Sequence, residues 1–265
     1  MSSEPLTYAN YLRVNDLLSL QDCRSIDPDT GEAEHDELLF IVIHQVYELW
    51  FKQLLHELEY VVAAMFANNL ATARLHMKRV LKILKTLVGQ VDILETMTPA
   101  EFASFREFLD TASGFQSAQF RELEFMLGIK DRVQLDWFSG PERDCLERRF
   151  AEPTLWDAFI AAMVRHGMDV PASATGRNVA ETVVEDPALQ ALIVREYHDE
   201  AFAAVCETLT DLDEGLQEWR YRHVMMVRRT IGTKHGTGGS DGAAYLQTTL
   251  FRPAFPDLWA IRTEF

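Results

Sequence analysis

Cysteine is scarce in this chain: its 265 residues carry three, Cys23, Cys145 and Cys206. They are odd in number and far apart, so they make neither a disulfide framework nor a zinc-finger spacing, and a reducing cytoplasm is the expected home. Basic residues are in deficit. Lys and Arg total 25 against 41 Asp and Glu, a net charge of −16, which argues against a nucleic-acid partner and against an anionic membrane surface. No uncharged apolar run reaches the ~20 residues that a bilayer span needs. The opening "MSSEPLTYAN" lacks the apolar core of a secretory leader. Strand-like alternation is nearly absent, as are internal repeats. Glycine and proline are both missing from Glu32 to Val88.

That last absence sets the architecture. The interval is too long for one ordinary helix, and Ala67–Asn69 is its natural turn, so the pattern predicts two long antiparallel helices, 36–66 and 70–92. Phe40, His44, Tyr47, Phe51, Leu54 and Leu58 share one face of the first. Leu39, Ile43, Val46 and Trp50 line the next, which predicts a helix buried over most of its first half. "TPAEFASFREFL" starts a further helix, with Thr98 as N-cap, Pro99 at the first position and Glu101 at the third. Another helix follows the glycine-containing break in "TASGFQSAQFRELEFMLG". Over 137–186, prolines and glycines interrupt the pattern, and a smaller helical excursion on the surface is expected. A long helix resumes at Pro187 and runs to Ile231, with a break expected near Asp211–Gly215. The chain (1–265) reads as one all-α domain, of a size that can bury a large core.

Two histidines stand out. His44 interrupts "DELLFIVIHQVYELWFKQLL". His223 falls on the seam formed by Leu209, Leu212, Leu216, Trp219 and Met226. A lone histidine on an apolar face is more often a core residue bonded to a carbonyl. Two of them, in a helical protein rich in Phe and Trp, point to an apolar cofactor such as haem, for which a helix-borne axial histidine is a common ligand. Other chemistries fit worse. Glu-x-x-His spacing occurs once, at Glu32–His35, where a di-iron bundle needs a pair. There is no His-Glu-x-x-His, no close cysteine pair and no Gly-x-Ser-x-Gly elbow. "GTKHGTGGSDG" lacks the ending of a phosphate loop, yet its glycines let backbone approach a ligand closely, and Thr237 adds a hydroxyl. Without Cys-x-x-Cys-His, a haem would be non-covalent, of b type.

The stretches "HDELLFIVIHQVYELWFKQLLHELE", "FREFLDTASGFQSAQFRELEF", "WRYRHVMMV" and "IGTKHGTGGSDG", in this order, resemble the tryptophan 2,3-dioxygenase family, and the likeness runs from "LTYANYL" to "FPDLWAIRTEF". The resemblance implies an all-α helical bundle around a b-type haem. The implied reaction is cleavage of the indole C2–C3 bond of L-tryptophan by O2 to N-formylkynurenine, the opening step of the kynurenine route of tryptophan catabolism. It implies His223 as the proximal iron ligand and His44 as the distal residue near the indole nitrogen, with Phe40 packed on the ring. Arg106 would pair with the substrate carboxylate, and Thr237 would hold the amino-acid end beside a haem propionate. Phe102 would stand on the pocket wall and Ser113 near the haem. Tyr8, Tyr11 and Leu12 would reach into a neighbouring subunit's site in a homotetramer. By residue chemistry alone, Arg106 could equally pair with Glu107 or Asp110 on the surface. The alternative is a related histidine-ligated haem monooxygenase acting on a tryptophan derivative in secondary metabolism. A non-enzymatic haem or tryptophan sensor is the other class, and would be expected to carry an output domain.

Overall fold

The structure is a computed structural model, and it describes residues 5–238 and 242–265. The helices run in the order α1 (Tyr8–Leu12), α2 (Val14–Leu17), α3 (His35–Phe66), α4 (Leu70–Leu94), α5 (Pro99–Phe105), α6 (Ala118–Leu127), α7 (Gly140–Ala151), α8 (Leu155–Arg165), α9 (Ala172–Thr175), α10 (Pro187–Glu196), α11 (Glu200–Ile231), α12 (Ala243–Gln247) and α13 (Pro256–Ala260). No strand occurs among the described residues. An isolated bridge joins Ile26 to Ala33. The fold is all-α, as the periodicity predicts.

Helices α3 and α4 form the predicted antiparallel pair. Asn68 takes the left-handed conformation (φ +59°) that a tight αα turn requires. Asn69 then caps α4 by accepting from the Thr72 amide. Across the pair, Leu54, Leu58, Val61 and Met65 meet Met77, Val80, Leu84 and Leu87, all buried. Each such side chain contributes roughly 1.5–3 kcal/mol by leaving water. One charge is built into this seam. Glu57 is buried and accepts from His76 Nδ1 at 2.7 Å, Arg79 Nη1 at 2.8 Å and Gln53 Nε2 at 2.8 Å. A carboxylate there would be costly without those donors. By composition α3 contains an 18-residue window apolar enough to cross a membrane. About a fifth of that window, 22%, is buried; the part of α3 seated in the central cluster is its second half, from Phe51 to Met65, which also carries the buried Glu57.

Three expectations are corrected. The first half of α3 is not buried all round: Leu38, Val42 and Leu49 are exposed, while Phe40, His44 and Tyr47 line a cavity. The apolar width of this helix exceeds what one chain covers. Second, Asp211–Gly215 does not break the last long helix, which runs unbroken from Glu200 to Ile231. Gly215 serves a close approach instead, since a Cβ there would meet Leu84 Cδ2 at 2.7 Å. The break lies earlier, at Tyr197–Asp199, where Asp199 accepts from the Phe202 amide and starts α11. Third, the segment 137–186 is helical but not wholly on the surface. Leu155, Trp156 and Phe159 of α8 belong to the main apolar cluster.

The cap on α5 is as predicted, with Thr98 and Glu101 exchanging side-chain and backbone bonds. Buried Asp213 on α11 pins the chain end by accepting from the Phe255 amide and from Trp259 Nε1, each at 3.0 Å. Glu37 does the same for the N-terminal segment, accepting from the amides of Arg24 and Ser25 and from the Ser25 hydroxyl.

Candidate active site

A large cavity opens between α3, the Phe102–Gly114 stretch, α6, α11 and the loop after α11. Helical geometry assembles it. Phe40 and His44 lie four residues apart on one face of α3, about 6 Å along its axis. Their rings are in contact, centroids 4.1 Å apart. Phe40 also packs on Phe102 and Phe105, at 5.9 and 5.6 Å. From α11, His223 also lines the cavity and lies flat on Trp219, centroids 5.1 Å apart and planes 9° from parallel.

The two imidazoles differ in their electrostatics. His44 Nδ1 lies 2.6 Å from the Phe40 carbonyl oxygen. A carbonyl only accepts, so Nδ1 carries the proton and Nε2 keeps its lone pair. Burial holds His44 below the ordinary imidazole range. Burial acts more strongly on His223, with the nearby His44 and Arg121 acting the same way, and brings it down to about 4. Both rings are therefore neutral at pH 7, the state a metal ligand requires. Both rings line the cavity.

Arg106, Ser113 and Thr237 cluster on this cavity with the loop. Arg106 Nη2 donates to the His235 carbonyl at 2.5 Å, so the guanidinium turns inward to the loop and not to Glu107 or Asp110. Thr237 Oγ1 donates to the Ala112 carbonyl at 2.5 Å. Gly238 lies so close to Ser113 that a Cβ would meet Ser113 Cβ at 2.7 Å. The rest of the glycine-rich motif, Gly239, Ser240 and Asp241, lies outside the described residues.

Seven of the ten predicted site residues thus line one cavity: Phe40, His44, Phe102, Arg106, Ser113, His223 and Thr237. Tyr8, Tyr11 and Leu12 do not join them. They are 78, 71 and 48% exposed on α1, and none lines the cavity. Sequence reasoning missed the charged floor, where Arg121, Glu124 and Arg220 are buried together. A signal was present: Arg220 follows Leu216 by four residues on the apolar seam of α11.

The donor set bears on what could be held here. Among the described residues no group of three or more His, Cys, Asp or Glu could hold a metal ion. An iron bound by His223 alone needs a macrocycle to supply its other ligands. The apolar walls and the neutral imidazole of His223 fit haem.

The sequence profile of the tryptophan 2,3-dioxygenase family matches residues 1–165 and 178–265, so its gap falls inside the interrupted segment 137–186. The tryptophan 2,3-dioxygenase of Herpetosiphon aurantiacus is 53% identical over 264 residues, covering 99% of each chain. That of Anaeromyxobacter sp. (strain K) is 52% identical, covering 98% of this chain and 96% of its own. That of Caulobacter vibrioides is 42% identical over 99% of both. With its paired histidines on one apolar cavity and a likeness to these enzymes that spans nearly its full length, the chain belongs to the tryptophan 2,3-dioxygenase family.

Proposed function

We propose that the protein cleaves the indole C2–C3 bond of L-tryptophan with O2, giving N-formylkynurenine, and that it does so with a b-type haem held by His223. The observation that carries this is the pair of neutral imidazoles on separate long helices facing one apolar cavity, with a guanidinium and a hydroxyl at its side. When bound, haem supplies the iron centre at which O2 is activated. The protein's part is to hold and orient.

His44 accepts a hydrogen bond from the indole N–H through Nε2, because Nδ1 is committed to the Phe40 carbonyl. It orients the ring and does not deprotonate it, since an indole N–H is far too weak an acid for a neutral imidazole whose basicity burial has lowered further. Phe40 and Phe102 form the apolar wall against the ring. Arg106 exchanges the His235 carbonyl for the substrate carboxylate, a charge-assisted bond. Thr237 holds the amino-acid end, and Ser113 stands beside the haem.

The exposed apolar side chains of α1 and of the first half of α3 support association into a homotetramer. In that assembly Tyr8, Tyr11 and Leu12 of a neighbouring copy would complete the pocket. Three free cysteines suit a reducing cytoplasm. No observation favours the monooxygenase. Purified protein given ferrous haem, L-tryptophan and ¹⁸O2 should yield a ring-opened product carrying two labelled oxygens. One added oxygen with the ring intact would overturn the proposal.

A further inference from the structure

On the floor of the cavity, Glu124 of α6 is ion-paired to Arg121, one turn earlier on the same helix, and to Arg220 of α11, the latter at 2.6 Å. All three side chains are buried, with relative exposures of 3, 8 and 4% for Glu124, Arg121 and Arg220. Two guanidiniums and one carboxylate leave a net charge of 2 − 1 = +1. Arg220 Nη1 also donates to the Arg252 carbonyl at 3.1 Å, which fixes it in place. The Arg121 guanidinium lies 4.9 Å from the centroid of the Phe120 ring, which in turn packs on Trp219 at 4.7 Å. Trp219 is the residue stacked on His223. Arg220 precedes His223 by three residues, so both face the same side of α11.

A buried trio of this kind is a poor device for stability. An apolar set of similar volume often serves as well or better, because removing charges from water costs more than their attraction returns. Here the cost is raised further, because the Nε atoms of Arg121 and Arg220 are buried without partners. A surplus positive charge fixed in a low-dielectric floor does have an electrostatic effect on its neighbours. Net charge and hydrogen bonding around a metal site are what tune its potential.

We propose that Arg121, Glu124 and Arg220 are positioning residues that set the charge beside His223, and that through it they raise the reduction potential of the iron this imidazole would hold. The inference rests on the haem reading of the cavity. Its sign is fixed by Coulomb's law: a nearby positive charge favours the ferrous over the ferric state.

The test uses the haem-loaded protein and measures the midpoint potential spectroelectrochemically, with haem content and circular dichroism as controls. Glu124→Gln takes the trio from +1 to +2 and should raise the potential. Arg121→Gln and Arg220→Gln take it to zero and should lower it. Each should change the ferrous-to-ferric ratio at fixed poise at least tenfold, which is about 59 mV for one electron. Arg121→Lys keeps the charge and should stay near the parent value. A merely structural role would not give opposite signs. Shifts of one sign in all neutral variants, or none with haem fully bound, would overturn the assignment. If Glu124→Gln does not fold, the three arginine variants still decide it. Failure of the unsubstituted protein to take up haem on His223 would instead remove the haem reading itself, and this assignment with it.

Discussion

Replacing His44 by serine separates two roles that one imidazole can play. The ring donates through Nδ1 to the Phe40 carbonyl at 2.6 Å, so one nitrogen, Nε2, remains to face a substrate. If Nε2 accepts from the indole N–H, His44→Ser removes one hydrogen bond between neutral groups, worth about 0.5–1.5 kcal/mol net. At about 1.4 kcal/mol per decade, this is roughly a 2- to 12-fold loss in kcat/KM. If His44 were a general base, the loss would be about 10²- to 10⁴-fold. The two ranges do not overlap, so kcat/KM measured on haem-replete enzyme decides between them. 1-Methyl-L-tryptophan gives an independent arm, because its methyl group has already removed the N–H. The parent enzyme should prefer L-tryptophan, and the serine variant should lose most of that preference. A variant that binds haem and substrate yet is more than about a hundredfold slower would refute the orienting role. So would an undiminished preference for the unmethylated substrate.

Arg106→Ala should cost roughly 10- to 150-fold in kcat/KM, the equivalent of about 1.5–3 kcal/mol for a bond to a charged group. Tryptamine, which lacks the carboxylate, should be a poor substrate for parent and variant alike; an unchanged kcat/KM for L-tryptophan would take Arg106 out of the site. Gly215→Val should destabilise by about 1–3 kcal/mol through overpacking against Leu84. At an open helix position the same change would be mildly stabilising, so the sign of the shift in urea midpoint tests the close approach. Haem-free protein should lose stability as pH falls from 6.5 towards 4. His223 has its ordinary value of 6.5 when unfolded and about 4 when folded, so the unfolded chain binds the proton first. The loss is about 3 kcal/mol at about 1.36 kcal/mol per unit, and His44, shifted the same way, adds to it. Urea midpoints at pH 7 and 4.5 check this, and His223→Leu should flatten the dependence; an equal slope in that variant would count against it.

Periodicity and punctuation are local, and what depends on them was readable from the chain alone. The α3–α4 pair, its turn at Ala67–Asn69, the Thr98–Glu101 cap and the placing of His44 and His223 on apolar faces all follow from spacings of three and four residues and from a run without glycine or proline. What lies across from a given face is not local. Gly215 looks like a breaker until Leu84 of another helix is seen to need the space. The segment holding α8 looks like an excursion because its loops are rich in proline and glycine, yet Trp156 and Phe159 bury against the central helices. Arg220 reads as a misplaced charge on an apolar seam, and its partner Glu124 stands 96 residues earlier in the chain. The proton on His44 is likewise a tertiary matter in its consequence. The carbonyl that fixes it is only four residues away, but the nitrogen left free matters because Arg106, Thr237 and His223 come from distant parts of the chain to face the same cavity. Helix faces are set by neighbours in sequence, whereas charge pairing, close approach and the shape of a cavity are set by neighbours in space.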